Sequence, residues 1–161
     1  MNRQEKRASR CLSLQIYYAW VISETHPKEI LDYLSDLSSS KEELLSFYIN
    51  HLDDNKLILS NDIIKYAYRL IKSTIDKSDE VDDYIISKLK NWELKRIALI
   101  DKLILRLSIT EMFFFDDVPP KVSIVEGVEI GKIFGNSDSS AFINGVLDSI
   151  YNDFKKIKPS K

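Results

Sequence analysis

The sequence predicts an all-α protein, a single-domain bundle of about seven helices, and three observations carry that expectation. Its 161 residues suit one domain around one core. Four glycines and four prolines are less than half the usual share of roughly 12%, so turns are few and elements long. Apolar residues recur at spacings of three and four along most of the chain, the signature of helices with one buried stripe.

The elements follow in order. Ala8, Cys11, Leu12, Gln15, Ile16, Ala19 and Ile22 form the stripe of a first helix, with polar, basic first turns and a mostly buried second half. A second helix starts at Pro27, a residue suited to the first helical position, and packs Ile30, Leu31 and Leu34. Ser40 and Glu43 form a capping-box pattern that opens a third, with Leu44, Leu45, Tyr48, Ile49 and Leu52 on one side. From Ser60 the stripe is Ile63, Ile64, Ala67, Leu70, Ile71, Thr74 and Ile75; it can continue through Val81, Ile85 and Leu89 unless Ser78-Asp79 breaks it. Residues 97–115 are apolar on nearly all faces apart from Asp101, Lys102, Arg106 and Glu111, which predicts a helix at the bundle centre. Asp116-Asp117-Val118-Pro119-Pro120 is a firm loop. Ser123 and Glu126 read as a second capping box opening a helix that Gly135 ends. On it Gly127 and Gly131 share a side, and the preferred reading is close approach of another helix backbone. Ser137, Asp138 or Ser139 caps the last helix, whose stripe is Ile143, Val146, Leu147, Ile150 and Phe154.

The net charge of -2 hides an uneven distribution. Arg3, Lys6, Arg7 and Arg10 against Glu5 give the first ten residues +3; Lys155, Lys156, Lys158 and Lys161 against Asp153 give the last twelve +3, which leaves -8 for the rest. The basic start followed by CLSLQIYYAWVI imitates a secretory signal, but Ser13, Gln15 and three aromatic residues interrupt the apolar run and no small-residue cleavage site follows. A soluble, cytoplasmic protein is expected, and a lone thiol, Cys11, fits a reducing compartment.

Several chemistries are disfavoured. All four glycines lie at 127, 131, 135 and 145, so no Walker loop or dinucleotide fingerprint can precede them. One cysteine and two histidines do not supply a Cys/His zinc site. His26 and His51 stand apart, with no nucleophile elbow to complete a triad. Adjacent acids such as Asp82-Asp83 and Asp116-Asp117 read as solvated surface, and Cys11 as a core filler. Neither enzymatic activity nor a cofactor or metal is expected.

A binding module remains. Arg3, Lys6, Arg7 and Arg10 are spaced to project from one helix face, an arrangement able to follow a phosphate backbone. Phe142, about 100° off its helix stripe, is either a core wedge or a platform for an unstacked base. A helical protein–protein adaptor, its basic ends serving solubility, is the alternative.

Several segments resemble the NusB family of transcription antitermination factors. Gln15-Ile16-Tyr17-Tyr18-Ala19-Trp20, after an Arg-rich start, is similar to that family's N-terminus. Ile104-Leu105-Arg106-Leu107-Ser108-Ile109-Thr110-Glu111 resembles its ILRLAxYE segment, and Val118-Pro119-x-Lys121-Val122-x-Ile124-x-Glu126 its VPxKVxINE stretch. Phe134-Gly135 and Phe142-Ile143-Asn144-Gly145-Val146-Leu147-Asp148 match its FG and FVNGVLD blocks. Val125 departs from the usual Asn, Gly127 and Gly131 from common alanines, and Ala8 thins the arginine run. The resemblance implies two packed helical subdomains, about 1–90 and 91–155, with a basic tail over 155–161. It implies binding of boxA-type single-stranded RNA, together with the small-subunit ribosomal protein NusE, within an RNA polymerase complex that suppresses termination during ribosomal RNA synthesis. By position, Lys6, Arg7 and Arg10 would contact phosphates, and Arg3 joins them on the same helix face by spacing. Tyr18, Lys121, Asp138 and Phe142 would border the RNA, and Asp101 would lie at the ribosomal-protein interface. Monomer and homodimer are both open for the free protein.

Overall fold

The computed structural model describes residues 1–26, 28, 29, 32, 60–89 and 94–157. Six α-helices occur among them: α1 (Arg3–Ser23), α2 (Asn61–Asp76), α3 (Ser78–Ile86), α4 (Leu99–Phe114), α5 (Pro120–Phe134) and α6 (Ser139–Ile157), with a single 3-10 turn at Leu94–Arg96. No strand appears among the described residues, so the all-α expectation holds. Of the helix expected from Pro27 only Lys28, Glu29 and Asp32 are described, each helical, while the helix expected from Ser40 and the tail beyond 157 lie outside the described residues. The chain divides into two compact units, Met1–Lys72 and Ser73–Lys161.

In the first unit α1 begins with a capping box, Asn2 with Glu5, that lies outside its apolar periodicity. Asn2 Oδ1 accepts the Glu5 N–H at 2.9 Å, and Glu5 Oε2 accepts the Asn2 N–H at 2.7 Å, so two orphan donors of the first turn are satisfied. The helix ends at Glu24 in the left-handed region, φ 57°. Its burial differs from the expected stripe. Residues 8–14 and 16–17 are buried on every side, whereas Ile22, expected in the core, is 61% exposed. The small residues Ser9 and Ser13 explain how a helix is enclosed all round at this level. The Ser13 hydroxyl donates to Ser9 O at 2.7 Å and reaches Ala67 O of α2 at 3.4 Å, so the two backbones come close.

α2 follows its sequence stripe closely. Ile63, Ala67, Leu70, Ile71 and Thr74 are essentially fully buried, while Ile64 and Ile75 are only half-buried and Tyr66 joins the core. Ser60 Oγ accepts the Ile63 N–H at 3.3 Å and caps the helix. The run into Val81 and Ile85 is not one helix. The backbone breaks at Lys77 (φ -110°, ψ 14°), and α3 restarts from there with Val81 and Ile85 still fully buried.

In the second unit α4 is central, packed against α3, α5 and α6, while α5 also packs on α6. Leu103, Leu105, Ile109, Ile143 and Leu147 are fully enclosed; each such side chain is worth about 1.5–3 kcal/mol in removal from water. The loop after α4 is as expected, except that Pro120 already begins α5 and Val118 turns inward, 5% exposed. The second capping box is corrected. α5 starts three residues before Ser123, so Ser123 and Glu126 lie inside it and are both buried. Gly135 does end α5, through its N–H to Gly131 O, yet with φ -87° rather than a left-handed turn.

Gly127 and Gly131 are where α5 meets its neighbours. A Cβ on Gly127 would stand 2.5 Å from Ser108 Oγ of α4 and 3.1 Å from Leu147 Cδ1 of α6; one on Gly131 would be 2.7 Å from Ile143 Cδ1. The expected approach of a helix backbone is met at Gly131, where a Cβ would stand 3.7 Å from Ser140 Cα and N of α6, whereas at Gly127 the space is taken by side chains of α4 and α6 instead.

Candidate nucleic-acid interface

The basic face of α1 is real but graded. Arg3 is exposed, Lys6 and Arg7 are half-buried, and Arg10 is only 5% exposed. The expectation that all four project to solvent is corrected for Arg10, whose guanidinium carbon sits 5.8 Å from the centre of the Tyr66 ring on α2. The cause is helical phase. Arg10 shares its face with Leu14 and Tyr17, four and seven residues on, and both are 1% exposed. The basic stripe thus runs into the core after two turns, and cation–π contact with Tyr66 suits the cation that α1 carries inside.

The remaining cations oppose the local field. The N-terminus of a helix carries the positive end of its macrodipole, so Arg3, the first residue of α1, is placed where a cation is unfavourable by a few tenths of a kcal/mol, an effect that fades towards Lys6 and Arg7. Glu5 is the only acid in that first turn. An anion held there would interact favourably with the cations and the dipole together.

Other candidate residues are placed as follows. Tyr18 is 40% exposed on α1. Lys121 is exposed in the first turn of α5. Asp138 is exposed in the turn before α6, and Phe142 is half-buried in the first turn of that helix. These last two are brought together: the Phe142 N–H donates to Asp138 O at 3.1 Å, while the Asp138 N–H donates to Asn136 Oδ1 at 2.9 Å. Asn136, together with Ser139, whose Oγ accepts the Asn136 N–H at 2.9 Å, therefore organises this turn. Asp101, in the first turn of α4, is 6% exposed, and its Oδ1 has no hydrogen-bond donor among the described residues.

Two polar residues of the motif segments turn out to hold the fold. Arg106 makes a fork to Asp82 of α3, Nε to Oδ1 at 2.7 Å and Nη2 to Oδ2 at 2.6 Å. Asp82, read with Asp83 as solvated surface, is thereby corrected to a partly buried ion-pair partner, whereas Asp83 is exposed. Glu111, 2% exposed, accepts the Ser123 hydroxyl at 2.6 Å and ties α4 to α5. No group of three or more His, Cys, Asp or Glu side chains among the described residues could hold a metal ion. No helix among them is long and apolar enough to cross a membrane.

Fold and motif positions together define a class: an all-helical protein with a basic first helix and motif residues that lock a helical core. The chain belongs to the NusB family, whose sequence profile matches residues 7–152. It is 33% identical over 148 residues to the transcription antitermination protein NusB of Clostridium tetani, spanning 91% of this chain and 97% of that one. Over 90 residues it is 46% identical to the NusB protein of Chloroherpeton thalassium, a match that covers 56% of this chain and 43% of that one. Its fold is similar to a chain in a crystal structure of antitermination factors NusB and NusE in complex with dsRNA, with a TM-score of 0.68, 20% identity and coverage of 94% of this chain and 99% of that chain. Membership places the chain among transcription antitermination proteins rather than enzymes.

Proposed function

We propose that this protein binds boxA-type single-stranded RNA together with the ribosomal protein NusE, joins the RNA polymerase antitermination complex in the cytoplasm, and suppresses termination during ribosomal RNA transcription. The observation that carries the reading is the cluster of Arg3, Lys6 and Arg7 in the first two turns of α1, a cationic surface beside the positive end of the helix. Family membership supports it, as does the likeness in fold to a chain crystallised with NusE and dsRNA. In this reading Arg3, Lys6 and Arg7 hold phosphates, and Arg10 supports them from beneath through its seat on Tyr66. Tyr18, Lys121, Asp138 and Phe142 border the RNA. Asp101, nearly buried in the first turn of α4, lies at the contact with NusE.

The test is an RNA gel shift with boxA-like and scrambled oligonucleotides, with and without NusE. Lys6→Ala with Arg7→Ala should weaken boxA binding, and loss of two phosphate contacts should flatten the salt dependence by about 1.4 in the log–log slope. Equal binding of boxA-like and scrambled RNA, or a slope unchanged in the double variant, would overturn the reading in favour of a protein–protein adaptor. Sedimentation of the free protein decides between monomer and homodimer.

A further inference from the structure

The turn that joins α5 to α6 is fixed from both ends. Gly135 closes α5 through its N–H to Gly131 O at 2.9 Å, and a Cβ there would stand 2.3 Å from Ser139 Oγ, so glycine lets the chain pass this close. Asn136 and Ser139 then hold each other. Ser139 Oγ accepts the Asn136 N–H at 2.9 Å and donates to Asn136 Oδ1 at 3.3 Å, while Asn136 O accepts the Ser139 N–H at 3.2 Å. The same Oδ1 accepts the Asp138 N–H at 2.9 Å. Ser139 is 1% exposed, whereas Asn136 and Asp138 stand at the surface.

Asp138 occupies the N-cap position of α6, since its carbonyl accepts the first helical N–H, that of Phe142. Aspartate is among the strongest capping residues, and its carboxylate ordinarily accepts an N–H of the second or third helical residue. Here it does not. The Asp138 carboxylate accepts no hydrogen bond and pairs with no cation among the described residues. Asn136 and Ser139 order the turn in its place, which leaves that carboxylate exposed one helical turn from Phe142. A local rule broken without gain to the fold is expected where a residue serves function.

A carboxylate repels phosphate and only accepts hydrogen bonds, so its use against RNA is with N–H groups on the edges of unstacked bases. We propose that Asn136 is a positioning residue for base recognition. It keeps the Asp138 carboxylate out of the helix cap and free to meet the edge of a base stacked at Phe142, and so sets RNA selectivity rather than RNA affinity. The inference rests on the boxA reading, in which Asp138 and Phe142 border the RNA.

The experiment measures the dissociation constants of the full chain with NusE for boxA-like and scrambled oligonucleotides and reads their ratio. Asn136→Ala should shrink the discrimination by about fivefold, as loss of one base contact does. The salt slope should not change, because no phosphate contact is lost, and the unfolding midpoint checks that the fold is intact. Asn136→Asp keeps the acceptor and should keep the ratio. In an Asp138→Ala background Asn136→Ala should change the ratio no further, since the two residues act as a unit. Full discrimination in Asn136→Ala, an equal loss in Asn136→Asp, or an equal loss with and without Asp138 would each overturn the proposal and leave the boxA reading standing. A ratio near one in the unaltered protein would instead sink the boxA reading, and this inference with it.

Discussion

Adding one methyl group at Gly127 tests whether close approach of helices holds the second unit together. The new Cβ would meet Ser108 Oγ at 2.5 Å on one side and Leu147 Cδ1 at 3.1 Å on the other, so it is pinched between α4 and α6. Overpacking of this kind costs about 1–3 kcal/mol, against which Ala in place of Gly in a helix returns about 0.8–1 kcal/mol. Gly145 provides the internal control, because a Cβ there meets nothing within 4 Å. Gly145→Ala should therefore be stabilising by up to about 1 kcal/mol, and Gly127→Ala should lie about 1–3 kcal/mol below it. Urea unfolding of the three proteins at equal m-value measures the difference. The nearer contact is a serine hydroxyl, so Gly127→Ala combined with Ser108→Ala should recover a large part of the loss. If Gly127→Ala stabilises as much as Gly145→Ala, the helices have room to separate and the packing argument fails.

Arg106→Ala should destabilise by about 2 kcal/mol, because it leaves Asp82 partly buried without its fork while removing nothing from the RNA surface; RNA affinity measured under folding conditions should stay unchanged. Ser123→Ala should cost about 1–3 kcal/mol by denaturation, since it removes a donor from the buried Glu111 carboxylate. The side-chain hydrogen bond from Lys88 holds the Asp153 carboxyl below its ordinary value of 3.8. A depressed folded pKa contributes stability above the unfolded value and loses it as pH falls through the folded one. A carboxyl titration by NMR should show Asp153 protonating late on acidification, and Lys88→Ala should move it back up. Arg10→Lys should perturb stability more than RNA binding, because a compact ammonium replaces a planar group seated on Tyr66; a selective loss of RNA affinity in a fully stable variant would refute the buried role.

Much of the fold was legible because helical burial is periodic. The α2 stripe from Ile63 to Thr74 and the enclosed character of α4 follow from spacing alone, since a helix brings every third or fourth side chain to one face. The candidate site was legible only in outline. Charge and spacing place Arg3, Lys6 and Arg7 together. What limits that face at Arg10 is contact with Tyr66, more than fifty residues away, and no local pattern reports it. Ser123 with Glu126 shows the opposite error: a capping pattern is local, yet Pro120 begins the helix earlier and frees the serine to serve Glu111.

The sequence by itself determined the helical class, the core stripes, the scarcity of glycine that leaves no early phosphate loop, and the cationic start of α1. Tertiary structure alone decided which charged residues work inside. Arg106, Asp82, Glu111 and Arg10 look alike in sequence to surface charges. Each is held by a partner on another helix, because a charge removed from water must find a matching group wherever the packing brings one.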